Sequence, residues 1–266
     1  MTANNVSSSR NSDASSLTEL LSGIEVGTKS DITPADLVDA LAYNKNMEYQ
    51  EFEDEADSGF TYDGNAIDEI AFMKEHSNYN DLIRSMSYDD TDAFEAYTEG
   101  HFMDGQQYRG FKKMSTFDQH CTRVFDKYLD QATLDKGIVV SRRATPQLLG
   151  FKYGDKPTLE QLQKMKGKVV YSAANMSTGL AKTGLGIGGD YEKPVEYKIH
   201  IPAGSKGAGM WVGDDRINGW GGGQREFMTN RDTLYVIGDS RPGKDRKGKD
   251  ISIVDLYYIG RTKHKY

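Results

Sequence analysis

A chain of 266 residues can hold one medium-sized domain with an extension, or two small domains. Its hydrophobic content of 37% and its 28 glycines allow a core in a polar chain with many turns. No apolar stretch approaches the ~18 residues of a membrane helix. Residues 1–16, rich in Ser and Asn, lack the apolar segment of a secretory signal. We therefore expect no membrane partner and no classical signal peptide.

The negative charge is concentrated at the start of the chain. Residues 1–66 carry 3 Lys or Arg against 13 Asp or Glu, a net charge of −10, whereas residues 67–266 carry 30 against 27, a net charge of +3. We predict that residues 1–66 form an acidic extension, partly disordered and partly helical, and that residues 67–266 form the main domain. A bias of +3 is too small to predict binding to nucleic acid.

Helical patterns come first in the chain. Thr33 as N-cap and Pro34 in the first turn predict the start of a helix in the extension. Thr158 and Gln161 predict a capping box for a short helix that Gly167 ends. Between these two helices, apolar residues at spacings of three and four predict one buried helix face. It consists of Phe117, Cys121, Val124, Phe125, Tyr128 and Leu129.

Strand patterns follow the helices. Residues 195–201 alternate apolar and polar side chains, as in a half-buried strand. Apolar runs at 210–212 and 234–237 predict two more strands. Helices first and strands later predict an α+β fold.

The most informative segment is Gly222–Val236. Gln224 and Glu226 stand two residues apart, so their side chains leave the same face of an extended strand. The glycines at 221–223 allow a sharp bend into that strand. A carboxylate beside an amide suits a site that stabilises a developing cation while it orients a second, polar reactant.

Two upstream strands end in residues that fit such a site. An apolar strand at 137–143 ends in two arginines, and a guanidinium can donate two hydrogen bonds to phosphate oxygens. The two arginines point to opposite faces of such a strand, so Arg142 and Arg143 are alternative registers for this contact. The next apolar strand ends in Ser172. We prefer Ser172 as the polar residue at the end of this core strand, because it directly follows the apolar run; the segment Met176–Gly179 is the alternative.

In their order along the chain, these motifs resemble the R-S-E pattern of mono-ADP-ribosyltransferases, which cut NAD at the nicotinamide bond and transfer ADP-ribose to a protein. Gln224 and Glu226 resemble the family's Q-x-E signature. Ser172 resembles the first serine of its S-T-S strand, whose other two positions are Ala173 and Ala174 here.

Two further segments extend the resemblance over residues 67–266. Ala93–Gly100 resembles the Tyr-Thr helix at the start of these domains. Lys193–Trp211 is similar to the strand, turn and strand of the small Rho-modifying bacterial exoenzymes. The resemblance implies a catalytic domain at 67–266 with two packed β-sheets and a helical N-terminal flank. Its mild positive charge suits an anionic dinucleotide.

The resemblance also implies a role for each residue. Glu226 would stabilise an oxocarbenium-like ribose, Ser172 would orient Glu226, and Arg142 would hold the NAD phosphates. Gln224 would contact the acceptor side chain, for which we expect Asn, Gln or another uncharged polar residue. Trp220 matches an aromatic residue with which family members contact the target protein.

We expect NAD as co-substrate, no metal, and a monomer whose partner is a host or target protein. The five histidines lack metal-ligand spacing, and Cys121, the only cysteine, lies on an apolar helix face. We expect action in the cytoplasm of a host or target cell, after phage delivery or specialised secretion. Two alternatives stay open: an NAD glycohydrolase, and a degenerate binding module, which the alanines at 173 and 174 favour.

Overall fold

A computed structural model describes residues 44, 47–52, 65–101, 107, 110–180, 193–219, 225–245 and 248–263. The helices are α1 (Asn65–His76), α2 (Tyr79–Arg84), α3 (Tyr88–Thr98), α4 (Thr116–Leu129) and α5 (Leu159–Gln163), with single 3₁₀ turns at Phe111–Lys113 and Pro146–Leu149. The strands are β1 (Tyr49–Gln50), β2 (Gly137–Ala144), β3 (Val169–Ser172), β4 (Met176–Gly179), β5 (Val195–Ile201), β6 (Gly209–Trp211), β7 (Glu226–Thr229), β8 (Thr233–Lys244) and β9 (Asp250–Arg261). Helices precede most strands, which confirms the predicted α+β class.

Helices α3 and α4 pack against each other through aromatic side chains. The rings of Phe94 on α3 and Phe125 on α4 lie 5.1 Å apart, centre to centre. The predicted apolar face of α4 is buried, except at Phe117, which is 50% exposed. Phe117 lies in the first turn of α4, whereas the described ring contacts with α3 begin further along, at Phe125.

The short helix α5 begins with the predicted capping box. The amide of Gln161 donates to Thr158 Oγ1 at 3.2 Å, and the amide of Thr158 donates to Gln161 Oε1 at 2.8 Å. Gly167 follows the helix with a φ of 85°, a conformation that glycine adopts without strain.

The described strands form one mixed sheet in the order β3-β8-β9-β5-β2-β4-β7-β6, with β1 beside β2. Its central strands β2, β5 and β9 are joined by long ladders. Strands β2 and β4 share a single Cα pair, Ser141 with Gly179. The five strands from β3 to β2 and the three from β4 to β6 therefore form two groups that meet at this narrow junction.

Part of the acidic extension belongs to this sheet. Tyr49 of β1 pairs with Gly137 of β2, and a Cβ added at Gly137 would lie 3.0 Å from the carbonyl oxygen of Glu48. The ring of Phe52 packs edge-on against Phe72 of α1 at 5.3 Å. Helix α1 begins at Asn65, before the domain boundary that we drew after residue 66. The helix that Thr33 and Pro34 predict lies outside the described residues.

Candidate active site

Three neighbouring strands bring sequence motifs together at the junction between the two groups of strands. Arg142 lies near the end of β2, and its Nη1 donates to the carbonyl oxygen of Ser177 on β4 at 2.5 Å. Glu226 is the first residue of β7, and its cross-strand partner on β4 is Gly179. Strand β4 therefore lies between the arginine and the glutamate.

Glu226 is 6% exposed, and its backbone is fixed on both sides of β7. Its carbonyl oxygen accepts a hydrogen bond from the amide of Val212 at 3.0 Å. Side chains directly opposite each other on antiparallel strands have Cβ atoms roughly 5 Å apart. Gly179 has no Cβ, so β4 places no side chain directly opposite Glu226.

Ser177 lies on the same face of the sheet as Glu226. It pairs with Met228, two residues after Glu226, so the two side chains are diagonal neighbours. The Ser177 Oγ is buried, and no residue that the structure describes forms a hydrogen bond with it. A buried hydroxyl normally has a partner, so this one is available to Glu226 or to a bound ligand.

The structure places Ser172 away from this group. Ser172 ends the edge strand β3, which pairs with β8, and its Oγ donates to the carbonyl oxygen of Ala174 at 2.9 Å. Strand β4, and not β3, pairs with β7. The preference for Ser172 rested on the apolar run before it and missed the second strand that begins at Met176. The available signal was Ser177–Thr178, which keeps two residues of the S-T-S motif.

Arg143 has different hydrogen-bond and ion-pair partners from those of Arg142. Its Nε and Nη2 donate to the carbonyl oxygen of Lys193 at 3.1 and 2.6 Å, and its Nη1 lies 3.1 Å from an Asp245 carboxylate oxygen. Burial lowers the pKa of Lys193, and the charges of Arg142 and Arg143 lower it further. Lys193 thus adds a third positive charge beside the arginines. Sequence reasoning did not single it out, because no pattern separates it from other lysines that precede a strand.

A cavity of 270 Å³ lies beside Arg143, at the edge where β2 ends and where β5 and β9 begin. Its charged lining residues are Arg143, Lys156, Lys193, Lys249 and Asp250. Positive charge dominates this lining, so the cavity suits an anionic group. Arg142 contacts β4, whereas Arg143 lines the cavity, so both registers of the arginine motif remain candidates.

Gln224 and Trp220 lie outside the described residues. The residue after Gln224 is well fixed: Arg225 is buried, and its carbonyl oxygen accepts a hydrogen bond from the amide of Leu180 at 2.8 Å. Thr178 Oγ1 donates to the carbonyl oxygen of Phe227 at 2.6 Å. These bonds tie the start of β7 to β4.

The other end of β7 is tied to helix α4 by a buried ion pair. Arg231 Nε and Nη2 donate to the two carboxylate oxygens of Asp126 at 2.8 and 2.7 Å. Asn230 donates to Asp130 at 3.0 Å, and Asp232 completes the turn with a φ of 57°. A bidentate pair fixes orientation as well as distance, so the turn holds the strand that carries Glu226.

Metal binding, membrane insertion and thiol catalysis find little support within the described part of the chain. No group of His, Cys, Asp and Glu there is arranged to hold a metal ion. None of the described helices has the length and apolar character to cross a membrane. Burial, with a smaller effect from the charge of Asp118, raises the pKa of the Cys121 thiol to about 12. A thiol that stays protonated at neutral pH is a poor nucleophile.

A large mixed sheet with helices ahead of it matches the fold of the ADP-ribosyltransferase toxins, which are enzymes. The sequence model of the ADP-ribosyltransferase exoenzymes matches residues 75–259, more than half of the chain. The protein belongs to this family of transferases. No curated protein matches the chain significantly in sequence.

Solved structures share the fold at low sequence identity. C3stau2 from S. aureus, solved with NAD, is 17% identical, and the match covers 81% of this chain and 100% of that chain with a TM-score of 0.57. The Clostridium limosum C3 exoenzyme is 18% identical over 79% of this chain and 97% of its own, with a TM-score of 0.57. BECa, an ADP-ribosylating toxin of C. perfringens solved with NADH, is 16% identical over 79% of this chain and 50% of its own, with a TM-score of 0.61.

Proposed function

We propose that this protein is an R-S-E mono-ADP-ribosyltransferase that cleaves NAD at the nicotinamide bond and transfers ADP-ribose to a protein side chain. One observation carries the proposal: Arg142, Ser177 and Glu226 lie on the adjacent strands β2, β4 and β7. Family membership supports it, as do relatives that were solved with NAD and NADH.

Glu226 carries the chemical step. Its carboxylate accepts a hydrogen bond from the ribose 2′-hydroxyl and stabilises positive charge at ribose C1′ while the bond to nicotinamide breaks. The electron pair of that bond goes to the nicotinamide nitrogen, which leaves as a neutral molecule. The acceptor atom then bonds to C1′ and gives up its proton. Each transfer thus releases one nicotinamide and one proton.

We assign the orienting serine to Ser177 in place of Ser172. Ser177 shares the face of Glu226, and its buried Oγ has no hydrogen-bond partner among the described residues. A hydrogen bond from this hydroxyl would fix the rotamer of the Glu226 carboxylate. Ser172 already donates its proton to Ala174.

The positive charges beside β4 suit the NAD phosphates. Arg142 is the residue that we assign to them, because it contacts the strand that also carries Ser177. Lys193 raises the positive potential nearby.

The acceptor side is a proposal from the sequence motif. Gln224 carries an amide and no charge, so it cannot pair with a guanidinium as a carboxylate does. We therefore propose an acceptor with an uncharged polar side chain, Asn or Gln first, and contact between Trp220 and the target protein. The Q-x-E order favours the subgroup of the Rho-modifying exoenzymes. We further propose that the protein acts as a monomer in the cytoplasm of a target cell.

Release of nicotinamide tests the proposal. The purified protein incubated with NAD should release nicotinamide, measured by chromatography, and Glu226→Gln should reduce the rate by roughly 10²–10³-fold, the usual loss on removing one electrostatic stabiliser. Glu160→Gln is the matched control, because Glu160 of α5 is exposed and pairs with Lys164, the residue that follows this helix. A wild-type protein that binds NAD without releasing nicotinamide, with or without a protein acceptor, would favour the binding module instead.

A further inference from the structure

The cavity beside Arg143 is lined by a different face of β2 from the one that carries Arg142. Consecutive side chains of a strand leave opposite faces of the sheet. Arg142 lies opposite Tyr197 of β5, whereas Arg143 lies opposite Glu196. The described residues that line the cavity include Arg143 but neither Arg142 nor Glu226. The cavity is therefore distinct from the group of residues that we assign to NAD.

Four cationic side chains from separate segments line this cavity. They are Arg143 of β2, Lys156 of the loop before α5, Lys193 before β5, and Lys249 before β9. Asp250 is the carboxylate of the described lining, and its Oδ1 lies 2.5 Å from Nζ of Lys244, outside the cavity. Four positive charges thus face one carboxylate that has a cation of its own, and such a lining attracts anions.

The backbone around two of the lysines is restricted by proline. Lys156 precedes Pro157 and Lys193 precedes Pro194, and both prolines line the cavity. A residue before proline is limited to an extended backbone. The carbonyl oxygen of Pro194 accepts a hydrogen bond from the amide of Ser252 at 3.0 Å, which ties this side of the cavity to β9.

Asp245 positions the other two cationic residues. The amide of Lys249 donates to Asp245 Oδ1 at 2.8 Å, and the amide of Asp245 donates to the carbonyl oxygen of Lys249 at 2.9 Å. The second carboxylate oxygen of Asp245 lies 3.1 Å from Nη1 of Arg143. One side chain therefore fixes the guanidinium of Arg143 and the backbone of Lys249 at the same cavity.

Size and charge favour a small anion. The cavity of 270 Å³ lies just below the ~300–1,000 Å³ of pockets for larger ligands, so a whole dinucleotide would not fit inside it. Burial and the charges of Arg142 and Arg143 lower the pKa of Lys193, and a bound anion would offset these charges. Lysine ammonium groups are compact point charges that commonly bind phosphate.

We propose that the cavity lined by Arg143, Lys156, Lys193 and Lys249 is a binding site for a small phosphate dianion, separate from the site of NAD. The inference does not depend on the proposed transferase function, because it concerns binding alone. The shared chemistry of the ligand is a dianionic phosphate group, which is present in free phosphate and in a small phosphate ester.

Calorimetric titration with inorganic phosphate tests the site. Lys156→Gln combined with Lys249→Gln should weaken phosphate binding about tenfold, the effect of losing two exposed charge contacts. Both lysines are exposed, so the fold should tolerate the change. Lys74→Gln combined with Lys136→Gln is the matched control, because it removes the same charge from exposed positions outside the lining. Equal weakening in the two double variants, or no phosphate binding by wild type, would overturn the inference.

A parallel titration with NAD separates the two sites. The double variant of Lys156 and Lys249 should bind NAD as the control variant does, and Arg142→Ala should keep its phosphate affinity while its NAD affinity falls. If Arg142→Ala loses phosphate binding and the cavity variant retains it, phosphate occupies the site that we assign to NAD and the inference fails.

The source of the phosphate group is identified by a second probe. Wild type and the double variant of Lys156 and Lys249 are titrated with O-phosphoserine under the same conditions. Tighter binding of phosphoserine than of inorganic phosphate, lost in the double variant, would support the site and identify its ligand as an ester. The opposite order, with the same loss, would support the site and identify free phosphate.

Discussion

Ser172 donates a hydrogen bond to Ala174, whereas Ser177 Oγ has no hydrogen-bond partner among the described residues. Alanine substitutions at the two positions should therefore have different effects. Ser177→Ala should slow nicotinamide release about 10- to 100-fold, the worth of one hydrogen bond to a charged group, with little change in the free energy of unfolding. Ser172→Ala should leave the rate unchanged and lower that free energy by about 1 kcal/mol, since it loses a buried hydrogen bond to Ala174. Steady-state rates and chemical denaturation of both variants decide which serine orients Glu226. If Ser172→Ala released nicotinamide slowly and Ser177→Ala released it at the wild-type rate, the orienting serine would be Ser172, as we expected from the sequence.

Alanine substitutions at Arg142 and Arg143 should also differ in their effect on NAD affinity. Arg142→Ala should weaken NAD binding by about 1.5–3 kcal/mol, the range for hydrogen bonds to charged groups. Arg143→Ala should leave NAD affinity nearly unchanged and lower the melting temperature, because it leaves Asp245 and the carbonyl oxygen of Lys193 without their partner in Arg143. Calorimetric titration with NAD gives the ranking. The reverse ranking means that Arg143 and the cavity beside it hold the phosphates.

At the residue scale, sequence reasoning predicted the strand positions of two of the proposed site residues. Glu226 begins a strand and Arg142 lies near the end of another, as the apolar runs predicted. Lys193 could not be found in this way, because its role depends on how the chain before β5 meets the end of β2. The choice between Ser172 and Ser177 depends on which strand pairs with β7, and pairing is a long-range property that local patterns do not contain.

At the scale of elements, helical periodicity predicted α4, alternation predicted β5, and apolar runs predicted β2 and β8. Strand β5 was expected to be half-buried, but its polar residues Glu196 and Lys198 are buried as well. The short strand β1 was missed, since two residues carry no periodic signal. Strand β4 was read only as a competing motif, because its four residues contain no apolar run. The single pair that joins β2 to β4 also lies beyond local patterns, although it brings the arginine beside the serine.

The contact between α3 and α4 should depend on pH through Asp90. Burial raises the pKa of Asp90, but hydrogen bonds from Lys127 and Tyr128 lower it more, to about 2. The unfolded value is near 3.9, so the folded pKa is the lower one. The stability that Asp90 contributes is present above pH ~4 and is lost as the pH falls towards 2.

Denaturation at pH 5 and at pH 2.5 tests this contact. The free energy of unfolding should fall more for wild type than for Asp90→Asn, which has no carboxylate to protonate. Asp89→Asn, at the exposed neighbouring position, should behave like wild type. If wild type and Asp90→Asn lose stability in parallel, Asp90 does not contribute in the way its hydrogen bonds indicate.

At the scale of the whole molecule, the acidic extension is not separate from the sheet. Asn44 Nδ2 donates to the carbonyl oxygen of Tyr258 at 2.9 Å, and Phe52 is buried in the core. A variant that lacks residues 1–43 serves as the reference. Removing residues 1–66 should lower the free energy of unfolding by about 2–3 kcal/mol, roughly the burial of one large apolar side chain. Equal melting temperatures for the two truncations would show that β1 adds nothing to the fold.

Transfer of ADP-ribose to a protein is the central claim, and labelled NAD tests it directly. Wild type incubated with a cell lysate and NAD labelled in its adenine part should attach the label to a protein, and mass spectrometry should map it to an uncharged polar side chain. Glu226→Gln, which keeps the shape of the side chain and removes its charge, should reduce the labelling at least 100-fold. Labelling by Glu226→Gln within threefold of wild type would contradict the claim.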